Sequence, residues 1–273
     1  RGYGGHRGET RDGASAASDV YKGQVDPSAR VGDNVTVGPW SYIGPDVEIG
    51  EGTEILSNVV VKGPTVIGRN NRIFQFSSIG EECQDKKYAG EPTTLVIGDN
   101  NVIRENCTVH RGTVQDRGET RIGSGNLLMA YVHVAHDCIV GDNTILANCA
   151  TLAGHVSVGD FAILGGGTMV HQFCHIGPHS MAAGGSIVLK DIPAYVMASG
   201  QSAQPHGMNV EGLKRRGFSK DVLLALRRAY KVIYRQGLTT EQAVEELEKS
   251  YSDVAEIRPL IDSLRGAHRG IIR

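Results

Sequence analysis

Every sixth residue of this chain is aliphatic over most of its length, and that regularity restricts the fold more than any other feature. From Val25 the series runs Val25, Val31, Val37, Ile43, Ile49, Ile55, Val61, Ile67, Ile73, Ile79. About a third of positions in an ordinary chain are aliphatic, so a run this long arises by chance about once in 10⁴–10⁵ trials. After an interruption the phase returns at Ile97, Ile103 and Val109. A second interruption shifts it by one residue, and it then runs Ile122, Leu128, Val134, Val140, Leu146, Leu152, Val158, Leu164, Val170, Ile176, Ala182, Val188. Glycine often follows the aliphatic residue, as at Gly32, Gly50, Gly98 and Gly141, which places many of the 36 glycines at turns.

A period of six matches neither the alternation of a half-buried strand nor the 3.6 residues of a helix. It fits a short strand followed by a sharp corner, with one aliphatic side chain pointing inward per side. Three sides close a coil of 18 residues, and stacked coils pair as parallel strands about 4.8 Å apart. The 25 counted positions give about eight coils, a prism of roughly 40 Å. The expected fold is therefore a hexapeptide parallel β-helix. Residues 80–96 and 110–121 interrupt the period and are read as loops leaving the coil, the usual place for binding functions on a regular solenoid.

The period ends near Asp191, and past Pro205 the pattern turns helical. Ser219 caps a helix carrying Val222, Leu223, Leu226, Tyr230 and Ile233, with Gly237 at its end. Thr239 and Gln242 form a capping box for a second helix, and Val254, Ile257, Leu260, Ile261 and Leu264 mark a third apolar pattern. The chain thus divides into a flexible extension (1–20), a β-helix domain (21–205) and a helical domain (206–273).

A net charge of −2 gives no reason to expect a nucleic-acid partner, and no apolar run is long enough for a transmembrane segment. The five cysteines are odd in number and lack a C-x-x-C spacing, so they read as reduced thiols in a reducing compartment. Residues 1–20 lack the apolar core of a secretory signal. They carry Glu9, Asp12 and Asp19, which suits a transit peptide poorly but is compatible with the stretch that follows a removed one.

Residues 18 apart stack on adjacent coils. This aligns Ala135, Ala153 and His171; then His136, Gly154 and Gln172; then Asp137, His155 and Phe173. With His133, four histidines gather within three coils at one edge, and Lys87 on the first loop is placed to reach over it. His136 beside Asp137 suits general-base chemistry, because imidazole titrates near neutrality and a carboxylate stabilises its protonated form. Asp137 reaches the ring only if a corner bends there. The Gly154 amide is placed to face an oxyanion. No Ser or Cys stands in the column, which favours direct group transfer. On the residues alone, a three-histidine zinc site of the γ-carbonic-anhydrase kind and a non-catalytic scaffold stand as alternatives.

The stretches QDKKYAGEPT (84–93), NLLMAYVHVAHDC (126–138), LAGHVSVGDFAILGG (152–166), VHQFCHIG (170–177) and NVEGLKRRGFS (209–219) resemble the UDP-N-acetylglucosamine O-acyltransferases that begin lipid A biosynthesis. The resemblance spans about residues 25–273. It implies a left-handed parallel β-helix with a C-terminal α-helical domain, assembled as a homotrimer with its sites between subunits. It also implies transfer of an (R)-3-hydroxyacyl chain from acyl carrier protein to the 3-hydroxyl of UDP-N-acetylglucosamine. No metal and no cofactor is implied beyond the phosphopantetheine thioester of the donor. By the same resemblance His136 is the general base, Asp137 orients it, and Gly154 supplies the oxyanion amide. Asp85, Lys87, His133 and His155 match positions that contact the sugar nucleotide or the donor. His171 and Gln172 match a donor-side motif, and Asn209, Glu211, Arg215 and Arg216 a segment that binds the uridine diphosphate. Gly184 matches the end of the acyl groove, where glycine leaves room for a long chain. Ala183 departs from the glycine of the bacterial pattern. A sister glucosamine N-acyltransferase is the nearest enzyme alternative, but those proteins usually carry an N-terminal uridine-binding domain, for which a coil beginning by Val25 leaves no room. The resemblance extends to plant mitochondrial proteins imported by a removed transit peptide, and the expected address is the mitochondrion in preference to a bacterial cytoplasm.

Overall fold

The structure, a computed structural model, describes residues 23–273; the extension expected over residues 1–20 lies outside them. The hexapeptide period becomes three parallel faces of very short strands. The first face has nine strands, from Gln24–Val25 to Ile187–Val188. The second has eight, from Arg30–Val31 to His175–Ile176. The third has ten, from Thr36–Val37 to Gln204–Met208. Uninterrupted coils pair with an offset of 18 residues, as in Val134↔Leu152, Val140↔Val158 and Leu146↔Leu164. The period-six aliphatics from Ile43 onward fill the bore and are buried. Val25, Val31 and Val37, on the first coil, are only partly buried because no described coil lies beneath them.

The corners explain why so short a side can turn. Asn34, Asn58, Asn70, Asn100, Asn106 and Asn143 all adopt positive φ, between 53° and 58°. Asparagine and aspartate tolerate this left-handed region best among residues with a Cβ. Inside the edge between the second and third faces runs a buried amide ladder. Asn101 donates its side-chain amide to Asn71 Oδ1 (2.9 Å) and the Gly123 carbonyl (2.9 Å), and its Oδ1 accepts the Asn126 backbone N–H (2.9 Å).

Both interruptions leave the coil at one edge, between the first and second faces. They lengthen the pairing offset to 30 residues at Ile67↔Ile97 and to 25 at Val109↔Val134. The flanking strands reach further than the period implies (Ser78–Glu81, Thr94–Ile97, Thr108–His110, Glu119–Ile122). The loops proper are therefore residues 82–93 and 111–118.

Past the coils, Val196–Ser199 pairs antiparallel with Gln204–Met208. The chain beyond Pro205 thus first forms a hairpin strand, where the sequence pattern suggested helix. Helices follow: α1 (Val210–Arg215), α2 (Lys220–Arg235), α3 (Thr240–Ser250) and α4 (Arg258–Arg265). Ser219 caps α2, and the Thr239–Gln242 capping box opens α3. Leu226, Ile233, Leu247, Leu260 and Leu264 form their buried core. A bridge from Asp191 to Ile271 returns the C-terminus to the coils.

Replacing Asn101 by Ala strands the Asn126 N–H and the Gly123 carbonyl in a buried corner, and an unmade buried hydrogen bond costs about 1–3 kcal/mol. Asn101→Ala is therefore expected to lose about 2–4 kcal/mol in denaturant unfolding. A wild-type midpoint would show that the ladder is not stabilising.

Candidate active site

The expected histidine edge forms at the corner that emits both loops. Asp137 adopts φ +58°, and this left-handed turn resolves the geometric problem posed by adjacent residues. Its carboxylate folds back to accept the His136 Nδ1–H at 2.8 Å. Asp137 is fully buried. Burial alone would raise its pKa, but hydrogen bonds from His136 and Thr113 outweigh it and hold the carboxyl below its ordinary value. A carboxylate only accepts, so Nδ1 carries the proton and Nε2 is left as an open base. The ring lies directly over Gly154. A Cβ there would sit 2.5 Å from His136 Cε1 and 2.6 Å from Nε2, so any side chain at this position would displace the ring. The Gly154 N–H has no acceptor among the described residues.

His155 stands one coil above Asp137. Its ring is stacked on Phe173 (4.3 Å) and perpendicular to His136 (5.0 Å). Its Nδ1 donates to Asp116 Oδ2 at 3.0 Å. His133 lies 2.7 Å from Thr108 Oγ1 and edge-on to His110 at 5.2 Å. Burial, then the nearby His110 and His136, pushes His133 down to about 4, so it is neutral at neutral pH. Donor atoms of His136, Asp137 and His155 lie within 4.8 Å of one another, a spacing one small cation could bridge. Both Nδ1 atoms are already engaged by carboxylates, so hydrogen bonding alone accounts for the cluster.

The loops supply residues that the period could not locate. Thr113 donates to Asp137 from both its backbone N–H and its hydroxyl, and Asp116 holds His155. The buried Arg111 guanidinium bonds the Gly63 and Gly80 carbonyls and the Tyr88 hydroxyl, tying loop 82–93 to the coils. An arginine and a histidine beside a strand end, in the string VHRGT, were the available signal. Asp85 accepts the Lys87 backbone N–H at 3.0 Å. Lys87 is exposed on this loop and makes no bond to the histidines among the described residues. His171 and Gln172 are exposed at the same edge, with His171 Nδ1 donating to the Gln172 carbonyl.

The remaining expected residues lie elsewhere on the same chain. Gly184 sits at the edge between the third and first faces, where a Cβ would meet the Gly166 carbonyl at 3.2 Å. Asn209 is buried as the cap of α1. Its oxygen accepts from Gly212 N–H, and its amide donates to the His179 carbonyl (2.9 Å). Glu211 is paired with Lys214 at 2.8 Å, and Arg215 is exposed. Arg216 stacks over Phe161 at 4.9 Å and donates to the Phe161 carbonyl. These four flank the edge between the second and third faces, one full face away from His136, so a single chain does not bring them to the base.

This geometry defines a hexapeptide-repeat transferase: a left-handed parallel β-helix with a histidine–carboxylate edge. The bacterial transferase hexapeptide profile matches residues 28–63 and 119–154, and the profile described as UDP N-acetylglucosamine O-acyltransferase, domain 2, matches residues 191–272. The chain belongs to the acyl-[acyl-carrier-protein]–UDP-N-acetylglucosamine O-acyltransferase family. The enzyme of that name from Stutzerimonas stutzeri is 59% identical over 249 residues, covering 91% of this chain and 96% of the relative. The Saccharophagus degradans enzyme is 61% identical with the same coverage. Among solved structures, the Moraxella catarrhalis UDP-N-acetylglucosamine O-acyltransferase has a TM-score of 0.91 at 49% identity, covering 92% of this chain and 98% of the other. The Arabidopsis UDP-N-acetylglucosamine acyltransferase has a TM-score of 0.80 at 36% identity, covering 92% and 99%.

A histidine outside this cluster, His179, yields a test of pH dependence. His179 is stacked between Phe161 (4.8 Å) and Tyr195 (5.6 Å), its Nδ1 is buried without a partner, and burial, then Arg216, pushes it down to about 4. The unfolded chain binds this proton near pH 6.5, so the stability tied to the neutral ring is present above that value and is lost as pH falls toward 4. His179→Phe keeps the stack and removes the titration. Its unfolding midpoint is expected to drop less between pH 7 and 5 than that of wild type. Equal drops would clear His179 of this role.

Proposed function

We propose that the chain transfers an (R)-3-hydroxyacyl group from acyl carrier protein to the 3-hydroxyl of UDP-N-acetylglucosamine, the opening reaction of lipid A biosynthesis. The observation that carries this reading is the His136 ring, oriented by buried Asp137 through Nδ1 and packed against Gly154, whose N–H has no acceptor among the described residues. His136 Nε2 takes the proton of the acceptor hydroxyl as its oxygen attacks the thioester carbonyl. Asp137 stabilises the imidazolium, and the Gly154 N–H donates to the oxyanion. Collapse of the tetrahedral intermediate expels the phosphopantetheine thiolate, which recovers the proton from His136. No acyl-enzyme is needed. Cys138, the thiol next to the base, donates to the Ala153 carbonyl, and burial pushes it up to about 12. The base must keep Nε2 free, so this mechanism has no place for a metal on that atom. The zinc-hydratase reading gains no support from the family to which the chain belongs.

Within this reading, Asp85, Lys87, His133 and His155 hold the sugar nucleotide or the donor, and His171 and Gln172 lie on the donor side. Gly184 lies at the end of the acyl groove. Glu211, Arg215 and Arg216 are assigned to the diphosphate and uridine of a site completed by a neighbouring chain, and buried Asn209 shapes that segment as its helix cap. The domain division between residues 205 and 206 belongs to the same proposal. A homotrimer accounts for the separation of these residues, since three-fold packing sets one chain's edge against another's. The outward column of the third face is polar on its first three strands, Thr36, Glu54 and Arg72, and apolar from there on, Val102, Leu127, Ile145, Ile163, Met181 and Met197, and this apolar part offers the surface to pack. Among the described residues no helix is long and apolar enough to cross a membrane. The relatives at 59% and 61% identity are bacterial, against 36% for the Arabidopsis protein. This favours a bacterial cytoplasmic address, and the mitochondrial expectation gains no support.

His136→Ala is expected to lower kcat by about 10²–10⁴ with an unchanged circular dichroism spectrum. Wild-type turnover in a folded variant would refute the mechanism. Light scattering at micromolar concentration should give about three times the 29.2 kDa chain mass; a monomer's mass would refute the shared site.

A further inference from the structure

The hydrogen bonds that define Asp137 come largely from loop 111–118 and its return strand. Thr113 donates twice, from its backbone N–H to Oδ1 (2.9 Å) and from its hydroxyl to Oδ2 (2.6 Å). Oδ2 is also the oxygen that accepts the His136 Nδ1–H (2.8 Å). Thr120 Oγ1, on the strand where the loop rejoins the coil, accepts the Asp137 backbone N–H at 2.8 Å. Thr113 and Thr120 are buried, at 2% and 0% exposure, so water does not compete for these bonds.

Resting on the assignment of His136 as the base, we propose that Thr113 is a positioning residue that sets the basicity of His136 by sharing Asp137 Oδ2. The loop then serves the reaction as well as enclosing the site. The physical logic concerns one oxygen. Each proton donated to Oδ2 spreads its negative charge, so the carboxylate pulls less on the imidazolium. Removing the hydroxyl leaves the same carboxylate with more charge to offer His136, and the pKa of the ring rises.

The other groups facing this pair do not substitute for Thr113. His155 Nδ1 is 3.8 Å from Oδ2 and is bonded to Asp116 instead. His133, on the same coil, and His110, on the coil before, are both pushed down by burial, so they face the pair as neutral rings. Cys83 from loop 82–93 and Cys138 from the same coil face Asp137, and burial raises both thiols so that they remain neutral. At bonding distance, Oδ2 has the His136 ring and the Thr113 hydroxyl.

The test replaces Thr113 by Val, which removes the hydroxyl at nearly constant volume, and by Ser, which restores it. Acyl transfer is followed as kcat/KM from pH 5 to 8, and the His136 ring is titrated by ¹³C NMR in the intact protein. In Thr113→Val the acid limb and the NMR midpoint are expected to move up together by about 0.5–1 pH unit. In Thr113→Ser both are expected to stay at the wild-type values. Should the Val variant not fold, Thr113→Ala repeats both measurements. A fall in kcat with no movement of either midpoint would reduce Thr113 to a structural contact and overturn the proposal. The NMR arm does not depend on turnover, so an unshifted ring in Thr113→Val overturns it even if wild type proves inactive on these substrates. Wild-type inactivity would by itself sink only the functional reading.

Discussion

Each coil has to close in 18 residues, and the parallel hydrogen bonds between coils allow almost no slippage. A residue on one coil is therefore stacked on its counterpart in the next, as His133↔Thr151↔Met169 shows. The placement of His136 against Gly154 exploits that vertical alignment. A ring can be set over a glycine one coil above because the register guarantees that the glycine is there. The inward aliphatics enforce the register, since a slip of one residue would turn buried Leu146 or Leu152 outward.

The faces and the edges of such a prism differ in what they can offer chemistry. On a face, backbone amides are consumed by the ladder and side chains alternate in and out. At an edge the chain turns, and the amides of His136, Gly154 and Gln172 have no ladder acceptor among the described residues. The turn also places Asp137 and His155 in the left-handed region, at φ +58° and +63°. This aims consecutive side chains at one another where a strand would separate them. An imidazole, the carboxylate bonded to it and an N–H with no acceptor among the described residues are thus consequences of corner geometry, given the right residues in the column.

The sequence made the coils legible because the core signal repeats, and a repeated signal survives local noise. It located the stacked columns correctly for the same reason. It said far less about loops 82–93 and 111–118, where the period is suspended and residue spacing no longer maps to position. Thr113, Asp116 and Arg111 escaped notice there, although two of them bond directly to the histidine–carboxylate cluster. Asn209 shows a different limit. As a string, NVEGLKRRG offers five polar residues for recognition. In the fold, one of them is a buried cap and another, Arg216, is stacked on Phe161. The Asn71–Asn101–Asn126 ladder was not read either, although each asparagine stands two residues before an inward aliphatic, Ile73, Ile103 and Leu128.

A solenoid grows along one axis, so it has no natural concavity in which to enclose a substrate. Loops 82–93 and 111–118 raise a wall at one edge, yet Gly184 and the α1 segment occupy the other two edges of the same prism. A face of about six extended residues spans at most about 20 Å, too far for one chain to bridge with side chains. Three-fold association removes the difficulty without any change in the coils. In the proposed homotrimer unlike edges would lie side by side, with the base from one chain and the nucleotide contacts from the next. The apolar column from Val102 to Met197 is then a requirement of the chemistry as much as of solubility: only a packed interface holds two rigid edges at a fixed distance.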